Sequence, residues 1–321
     1  MAQIANTFET YAAKGIRENL SDQIFRISPE ETPFISAIGR ETCTNTLYEW
    51  QNDSLIAASG SNNQIEGNDY TAFSAVVPTS RLGNYAQISA KTLIVTGTQD
   101  AVNKAGRKSE LAYQLALRAA ELKRDMETTA TQNQGALAGS AGGASNRKTA
   151  GFESFISTNT SRGAGGVNPA LVAGVPITAP VDGTQRAFTE TILKAVANSI
   201  WTQGGKLKML MLGASQKQVA SAFAGIAVNR YQINKPEMGV VIGATDIYVS
   251  DFGQLSLVPN RFQRNRSALF VDPEYAALTF LRPFETTPLA KTGDAEKRLI
   301  TVEWGLKIYH EAGHGNAADL T

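Results

Sequence analysis

The segment from Ser109 to Gln132 restricts the fold more than any other. Leu111, Leu115, Ala119, Leu122 and Met126 recur at spacings of four, four, three and four, which lays one apolar stripe along a helix. Arg118 with Glu121, and Glu121 with Arg124, supply charge pairs on the wet side. At about 1.5 Å per residue such a helix runs roughly 36 Å, the length of a whole domain. Its single stripe predicts packing against a sheet of the same chain rather than a coiled coil.

What precedes the helix cannot fold alone. Ser28-Pro29-Glu30-Glu31 is a helix start, with a capping serine, proline at the first helical position and glutamate three residues after the cap. Thr32-Pro33-Phe34-Ile35 repeats it at once, and Gly39 offers a stop. Two starts so close predict short helical turns. Phe25, Ile27, Phe34, Ile35 and Ile38 are too few to form a core, so the domain behind or a neighbouring chain has to cover them. A strand pattern covers Thr46 to Trp50. Residues 51 to 72 are polar, with Gly60-Ser61-Asn62-Asn63 and Gly67-Asn68-Asp69 as turn signals. A second strand pattern places Leu82, Ala86, Ile88, Ala90 and Ile94 on one face, with Gln87, Ser89 and Lys91 opposite. The two read as a long hairpin, and a lone two-stranded hairpin is marginal in water.

After the helix, residues 135 to 185 are rich in Gly, Ala and Ser, which favours irregular backbone; Phe152 to Thr158 is the one strand expected there. Helix and strand then alternate. Thr189 caps a helix carrying Ile192, Val196 and Ile200, which Gly204-Gly205 ends. Lys208 to Leu212 is a short apolar strand, and Ser215 caps a helix through Val219 and Phe223. Strands follow at Val240-Val241-Ile242, Ile247 to Ser250, Leu255 to Val258 and Leu269 to Val271, and Asp272-Pro273-Glu274 begins another helical turn. Ile300, Val302, Trp304, Leu306 and Ile308 alternate strictly with Thr301, Glu303, Gly305, Lys307 and Tyr309, the mark of a long half-buried strand. The fold class is α+β.

Composition narrows the function. With 321 residues the chain exceeds what one core usually supports. Charged residues are 18% of it, low for a free monomer, so other subunits are expected to cover much of the surface. The net charge of +1 argues against a dedicated nucleic-acid binder. Cys43 is the single cysteine, so no intrachain disulfide forms, which suits a reducing site of synthesis. No stretch approaches the roughly 20 apolar residues of a membrane span, and no signal peptide opens the chain.

Three short motifs invite a chemical reading. His310-Glu311-Ala312-Gly313-His314 spells H-E-x-x-H, the zinc-protease signature, which needs a helix so that both imidazoles share a face. Here a strand runs into it. In extended backbone the two histidines, the only ones in the chain, would stand roughly 13 Å apart. A structural strand end is the better reading. Ser145-Asn146-Arg147-Lys148 spells S-x-x-K but sits in a glycine-rich loop without the required helix. Arg261-Phe262-Gln263-Arg264-Asn265-Arg266 is the one basic cluster. A loop whose arginines pair with carboxylates across a subunit interface is preferred to a DNA contact. No catalytic, cofactor-binding or metal-ligating residue is assigned, no cofactor is expected, and no Walker spacing occurs.

The order of parts, with several phrases in sequence, resembles a known family. The phrases are Leu20-Ser21-Asp22, Ser28-Pro29-Glu30-Glu31-Thr32-Pro33-Phe34, Thr158-Asn159 with Ser161-Arg162-Gly163, and Ser250-Asp251-Phe252-Gly253. Val258-Pro259-Asn260-Arg261-Phe262, Asp272-Pro273-Glu274-Tyr275, Leu281-Arg282-Pro283-Phe284 and Pro288-Leu289-Ala290-Lys291-Thr292-Gly293-Asp294 follow. Together they resemble the Hong Kong 97-type major capsid proteins of tailed phages, in the phage SU-ten-like major head protein branch, from about residue 8 to residue 315. The resemblance implies an N-arm (1–45), an E-loop hairpin (46–100), a P-domain with a spine helix (101–185), an α/β A-domain (186–285) and a C-terminal strand returning to the P-domain (286–321). It also implies homo-hexamers and homo-pentamers in an icosahedral phage head enclosing double-stranded DNA. Portal, scaffolding and decoration proteins are the implied partners, with non-specific contact to packaged DNA, no membrane and no catalysis. Synthesis falls in the bacterial cytoplasm and the final place is the virion capsid. In this family the N-terminus can carry a scaffolding extension that a protease removes; because the arm-like sequence begins within ten residues of Met1, the expectation is that no such extension exists or that scaffolding is a separate protein. The rivals are an encapsulin-like compartment shell, a phage tail or tube subunit and, from another class, a zinc hydrolase built on His310, Glu311 and His314.

Overall fold

The computed structural model describes residues 26–69, 73, 75–223 and 247–321. The expectations at Leu20-Ser21-Asp22, Phe25 and Val240-Val241-Ile242 lie outside the described residues.

Of the two early helix starts only the second forms, as α1 (Pro33–Ala37) with its proline in the first turn. The reason is an anchor. The buried carboxylate of Glu127 accepts the backbone N–H groups of Phe34 at 2.8 Å and Ile35 at 2.9 Å, whereas Ser28-Pro29 lies in extended chain with Ile27 fully exposed. Phe34, Ile35 and Ile38 are buried by the domain behind them. The chain enters β1 (Gly39–Thr42), β2 (Leu47–Asn52) and β3 (Ser80–Tyr85), turns at Ala86 into β4 (Gln87–Thr96), and reaches α2 (Gly97–Ala101) and α3 (Glu110–Thr131). Ser109 caps α3, accepting the Ala112 N–H at 3.3 Å. Its 22 residues run about 33 Å. Arg118 and Glu121 pair at 2.6 Å. The expected Glu121–Arg124 pair does not form, because Arg124 lies over the Phe262 ring instead, 5.4 Å from its centroid.

The glycine-rich segment carries β5 (Thr160–Ser161), β6 (Ala170–Val172) and β7 (Val175–Thr178). Phe152 to Thr158 is not a strand. Phe152–Ser154 forms a buried 3-10 turn, since burying consecutive residues, polar Glu153 and Ser154 among them, requires local side-chain partners rather than a ladder. Next come α4 (Glu190–Thr202), β8 (Met209–Leu212), α5 (Ala214–Ser221), β9 (Ile247–Ser250), β10 (Gly253–Pro259), β11 (Ala268–Val271), β12 (Ala276–Pro288), β13 (Ala295–Ile308) and β14 (Gly315–Ala317). Thr189 caps α4. Gly213, not Ser215, stands at the cap of α5, two residues earlier than expected.

Among the described residues two sheets dominate. One has the order β1-β12-β13-β4 and the other β5-β14-β11-β8-β10-β9. The six-stranded sheet is the wall between two cores. In β8, Met209 and Met211 face the first core while Leu210 and Leu212 face the second; in β11, Leu269 and Val271 oppose Ala268 and Phe270 in the same way. A strand buried on both faces reads as a continuous apolar run, as these do. The first core packs Leu122 and Met126 of α3 with Phe34, Phe152 and Trp304. The second sets Leu193, Val196 and Ile200 of α4 on the sheet's other face.

The hairpin differs from expectation in its pairing. β2 pairs with β3, Leu47 opposite Tyr85 through Asn52 opposite Ser80, but β4 leaves the hairpin and pairs with β13. Within β4 the expected alternation holds. Ile88, Ala90 and Ile94 lie on the exposed side, and Gln87, Ser89 and Lys91 turn inward. Each inward polar residue has a partner: Lys91 pairs with Asp125 of α3 at 2.7 Å, the Trp304 Nε1–H donates to Ser89 Oγ at 3.1 Å, and the Gln134 amide donates to Gln87 Oε1.

Candidate functional site

The H-E-x-x-H segment follows the end of β13 and forms a 3-10 turn at Glu311–Gly313, not a helix. His310 Nδ1 accepts the Ala312 N–H at 3.1 Å. The Glu311 carboxylate accepts the Ser157 N–H at 2.7 Å and its hydroxyl at 3.0 Å. His314 is fully buried. Its Nδ1 accepts the Asp272 N–H at 3.2 Å, which leaves Nε2 to donate to the Tyr275 carbonyl at 3.2 Å. Burial pushes this imidazole down to about 4, so it is neutral. The three side chains thus serve three separate structural bonds. Among the described residues no group of three or more His, Cys, Asp or Glu side chains could hold a metal ion.

The S-x-x-K segment lies in a turn where Ser145 bonds Ser140 and Lys148 bridges to Leu137 through backbone. Arg147 there pairs with Glu303, whose other oxygen accepts from Arg282 at 2.9 Å. In the basic cluster, Arg264 pairs with Glu153 at 3.3 Å and with Asp182, and Arg266 with Asp319 at 3.1 Å. For Arg264 and Arg266 these carboxylates belong to the same chain, in place of the expected pairing across an interface. They bind the glycine-rich segment and the chain's last residues to the six-stranded sheet, where a desolvated arginine fork is used best.

Among the described residues no one pocket gathers these motifs, and large apolar side chains lie exposed on the surface. The segment 53–78, between β2 and β3, exposes Leu55, Ile56, Ile65, Phe73, Val76 and Val77. Among the described residues its hydrogen bonds close only within itself. The open face of β4 adds Ile88 at 50% exposure and Ile94 at 61%. So many exposed large apolar side chains in one part of the chain point to an interaction surface. Sequence patterning found the strand and the alternation of its two faces; the partners of Lys91 and Ser89 on the polar face are not carried by periodicity.

Residues 3–321 match the family model described as SU10 major capsid protein. The chain belongs to that family. It is a structural protein of a phage head, and the capsid is its place in the virion. The chain is 25% identical over 335 residues to a curated major capsid protein of Escherichia phage Phieco32, a match covering 94% of this chain and 93% of that one. Its fold resembles the capsid asymmetric unit of Cyanophage A-1(L), with a TM-score of 0.66, 11% identity and 98% of each chain covered. The holo-SrpI encapsulin of Synechococcus elongatus PCC 7942 is also similar, with a TM-score of 0.55, 9% identity, and 95% of this chain and 92% of that one covered. The architecture is therefore the Hong Kong 97-type capsid fold, as the order of parts implied. That fold alone does not separate phage head from compartment; the family match over nearly the whole chain does.

Proposed function

We propose that copies of the chain associate as hexamers and pentamers and close into an icosahedral shell around double-stranded DNA. The observation that carries this is the uncovered apolar surface of segment 53–78 and β4, on a chain whose two cores are otherwise complete. Residues 1–45 act as the N-arm and 46–100 as the extended loop, and the parts of them that the chain's own core leaves uncovered lie on neighbours. Residues 101–185 form the stiff body around α3. Residues 186–285 pack around the capsomer axis, and 286–321 return to the body. A shell needs one chain in several slightly different surroundings, and a rigid two-core body with projecting extensions meets that need.

The work is done by binding, with no catalytic step and no cofactor. With a net charge of +1, the chain meets packaged DNA through weak, sequence-independent contacts. Scaffolding, portal and decoration proteins are the further partners, and synthesis takes place in the host cytoplasm. No helix among the described residues is long and apolar enough to cross a membrane, and no membrane contact is invoked.

The test is expression of the full chain alone, followed by light scattering and negative-stain electron microscopy. Closed shells, or rings of five and six, are expected. Helical tubes would instead support a tail-tube role. Shells that copurify with a folded enzyme rather than nucleic acid would support a compartment.

A further inference from the structure

Two stretches after the long helix, 133–146 and 163–181, carry no charged residue at all. The fold sets them side by side. The Ala136 N–H donates to the Pro176 carbonyl at 2.8 Å, and Gly135 lies so close to the Ile177 carbonyl that a methyl group there would overlap it. The second stretch is a ribbon: β6 and β7 pair within it, and backbone bonds between Val167 and Val181, 3.0 Å each way, extend it. It leaves Val167, Leu171, Val172, Ile177 and Val181 between 42% and 56% exposed. The first stretch loops out from backbone bonds between Leu137 and Lys148 and walls a hollow of about 680 Å³. Ile88 of the open face of β4, Gly139, Ser140, Gly143 and Asn146 line it. Arg147 also reaches the hollow, and Glu303 takes up its charge.

The tip of the ribbon is strained. Ala173 and Gly174 both have positive φ, 50° and 82°, in a two-residue hairpin turn that favours Asn-Gly or Gly-Gly. Glycine is required at 174, because its carbonyl accepts the Gly83 N–H at 3.0 Å and a methyl group there would overlap the Arg81 carbonyl. That contact pins the turn to β3. Ala173 is exposed, so the chain's own core does not call for alanine there, and asparagine takes this conformation at less cost. A strained apolar residue on a pinned tip, beside exposed Leu171 and Val172, fits a contact made outside the chain. A charged surface pressed on this tip would be desolvated without a partner, so the receiving surface has to be neutral, and the hollow is.

We infer that the β6–β7 tip of one copy, at Leu171-Val172-Ala173, docks in the hollow beside Ile88 of a second copy, and that the second copy returns the contact. A knob and a hollow side by side on one chain fit such a two-fold joint, in which each copy fills the other. The inference rests on the shell reading and adds to it a two-fold contact between copies.

Two experiments on the full chain test it. In the first, Ala173→Cys and Asn146→Cys are combined in a Cys43→Ser background, mildly oxidised and run on a non-reducing gel. A covalent dimer is expected. A ladder beyond the dimer would overturn the two-fold geometry. A monomer band without free thiols would place the contact within one chain, and free thiols with no cross-link would mean that the tip meets something else; either result overturns the docking. In the second, Val172→Asp should lower particle yield by sedimentation roughly tenfold or more with the melting point unchanged. Ala173→Asn should raise the melting point, by relieving the left-handed alanine, and still lower particle yield. Wild-type yield in both variants would overturn the inference. If the wild type itself forms no particles the shell reading fails, and the covalent dimer still decides the docking.

Discussion

Glu127, near the C-terminal end of the long helix, accepts the backbone N–H of Phe34, 93 residues earlier, at 2.8 Å. The same carboxylate takes the Ile35 N–H at 2.9 Å and the Asn260 side-chain amide at 2.6 Å. One buried side chain therefore ties the first helix to the long helix and to the turn after β10. Among the described residues no lysine or arginine pairs with it. Burial pushes its carboxyl up while the three donors hold it down.

Removing that acceptor leaves three donors unsatisfied, each costing about 1–3 kcal/mol when buried. Glu127→Ala is expected to lose about 3 kcal/mol or more in urea unfolding, and Glu127→Gln about half as much, because the amide keeps one acceptor oxygen. A loss below about 1 kcal/mol for the alanine variant would show that Glu127 is not the joint.

This joint also shows where sequence reading stops. The periodicity of Leu111 to Met126 gave the long helix to within a residue of Glu110–Thr131, because an apolar stripe is a local property. Choosing between Ser28-Pro29 and Thr32-Pro33 required Glu127, which is local to neither. β12 was missed for a related reason. Its register shifts between Phe280 and Arg282 and again between Arg282 and Glu285, so no period-2 pattern survives through Leu281-Arg282-Pro283-Phe284. The alternation of β4 is local and was legible, and the chain leaves its apolar face exposed at Ile88 and Ile94.

His314 sets a pH dependence. Its imidazole is held near 4 by burial, against an ordinary value near 6.5. The unfolded chain therefore binds the proton first as pH falls, and the stability due to neutral His314 is lost between about pH 6.5 and pH 4. The burial of Glu127 and Glu153, which pushes their carboxyls up, acts in the other direction over the lower part of that range. The difference between wild type and His314→Gln isolates the histidine. Wild type should lose roughly 3 kcal/mol more than the variant from pH 7 to pH 4, measured by urea unfolding at each pH. Parallel curves would refute the assignment.

Zinc should have no effect. His310, Glu311 and His314 each hold a structural hydrogen bond, so chelation removes nothing the fold uses. The melting point with EDTA, and with equimolar zinc, is expected to stay within about 1 °C of the untreated value. A stabilised, zinc-retaining protein would revive the hydrolase alternative.

Gly305 and Tyr48 form a tight contact. The Tyr48 hydroxyl donates to the Leu306 carbonyl at 2.8 Å, and a methyl group on Gly305 would overlap that hydroxyl and ring. Tyr48→Phe should cost about 1 kcal/mol, the worth of one hydrogen bond. Gly305→Ala should cost more, about 1–3 kcal/mol, the range for overpacking in a filled core. Equal, small losses would mean the hairpin base shifts to make room.

The open face of β4 separates folding from assembly. Ile94 is 61% exposed, so within one chain its replacement touches little, and surface changes of that kind usually alter stability by less than about 0.5 kcal/mol. On the proposed reading the same side chain is covered by a neighbouring copy, and a carboxylate placed there has to be desolvated without a partner. Ile94→Asp is therefore expected to fold with wild-type circular dichroism and melting point while losing most particle formation by sedimentation. Because each shell repeats the contact many times, a small penalty per site multiplies across the assembly. Ala90→Asp on the same face should behave alike. Thr301→Ala, which shares that face through its pairing with Ala90 and introduces no charge, should assemble normally. Particle yield unchanged by both aspartates would mean that this face meets solvent in the shell, and that segment 53–78 alone carries the apolar contact between copies.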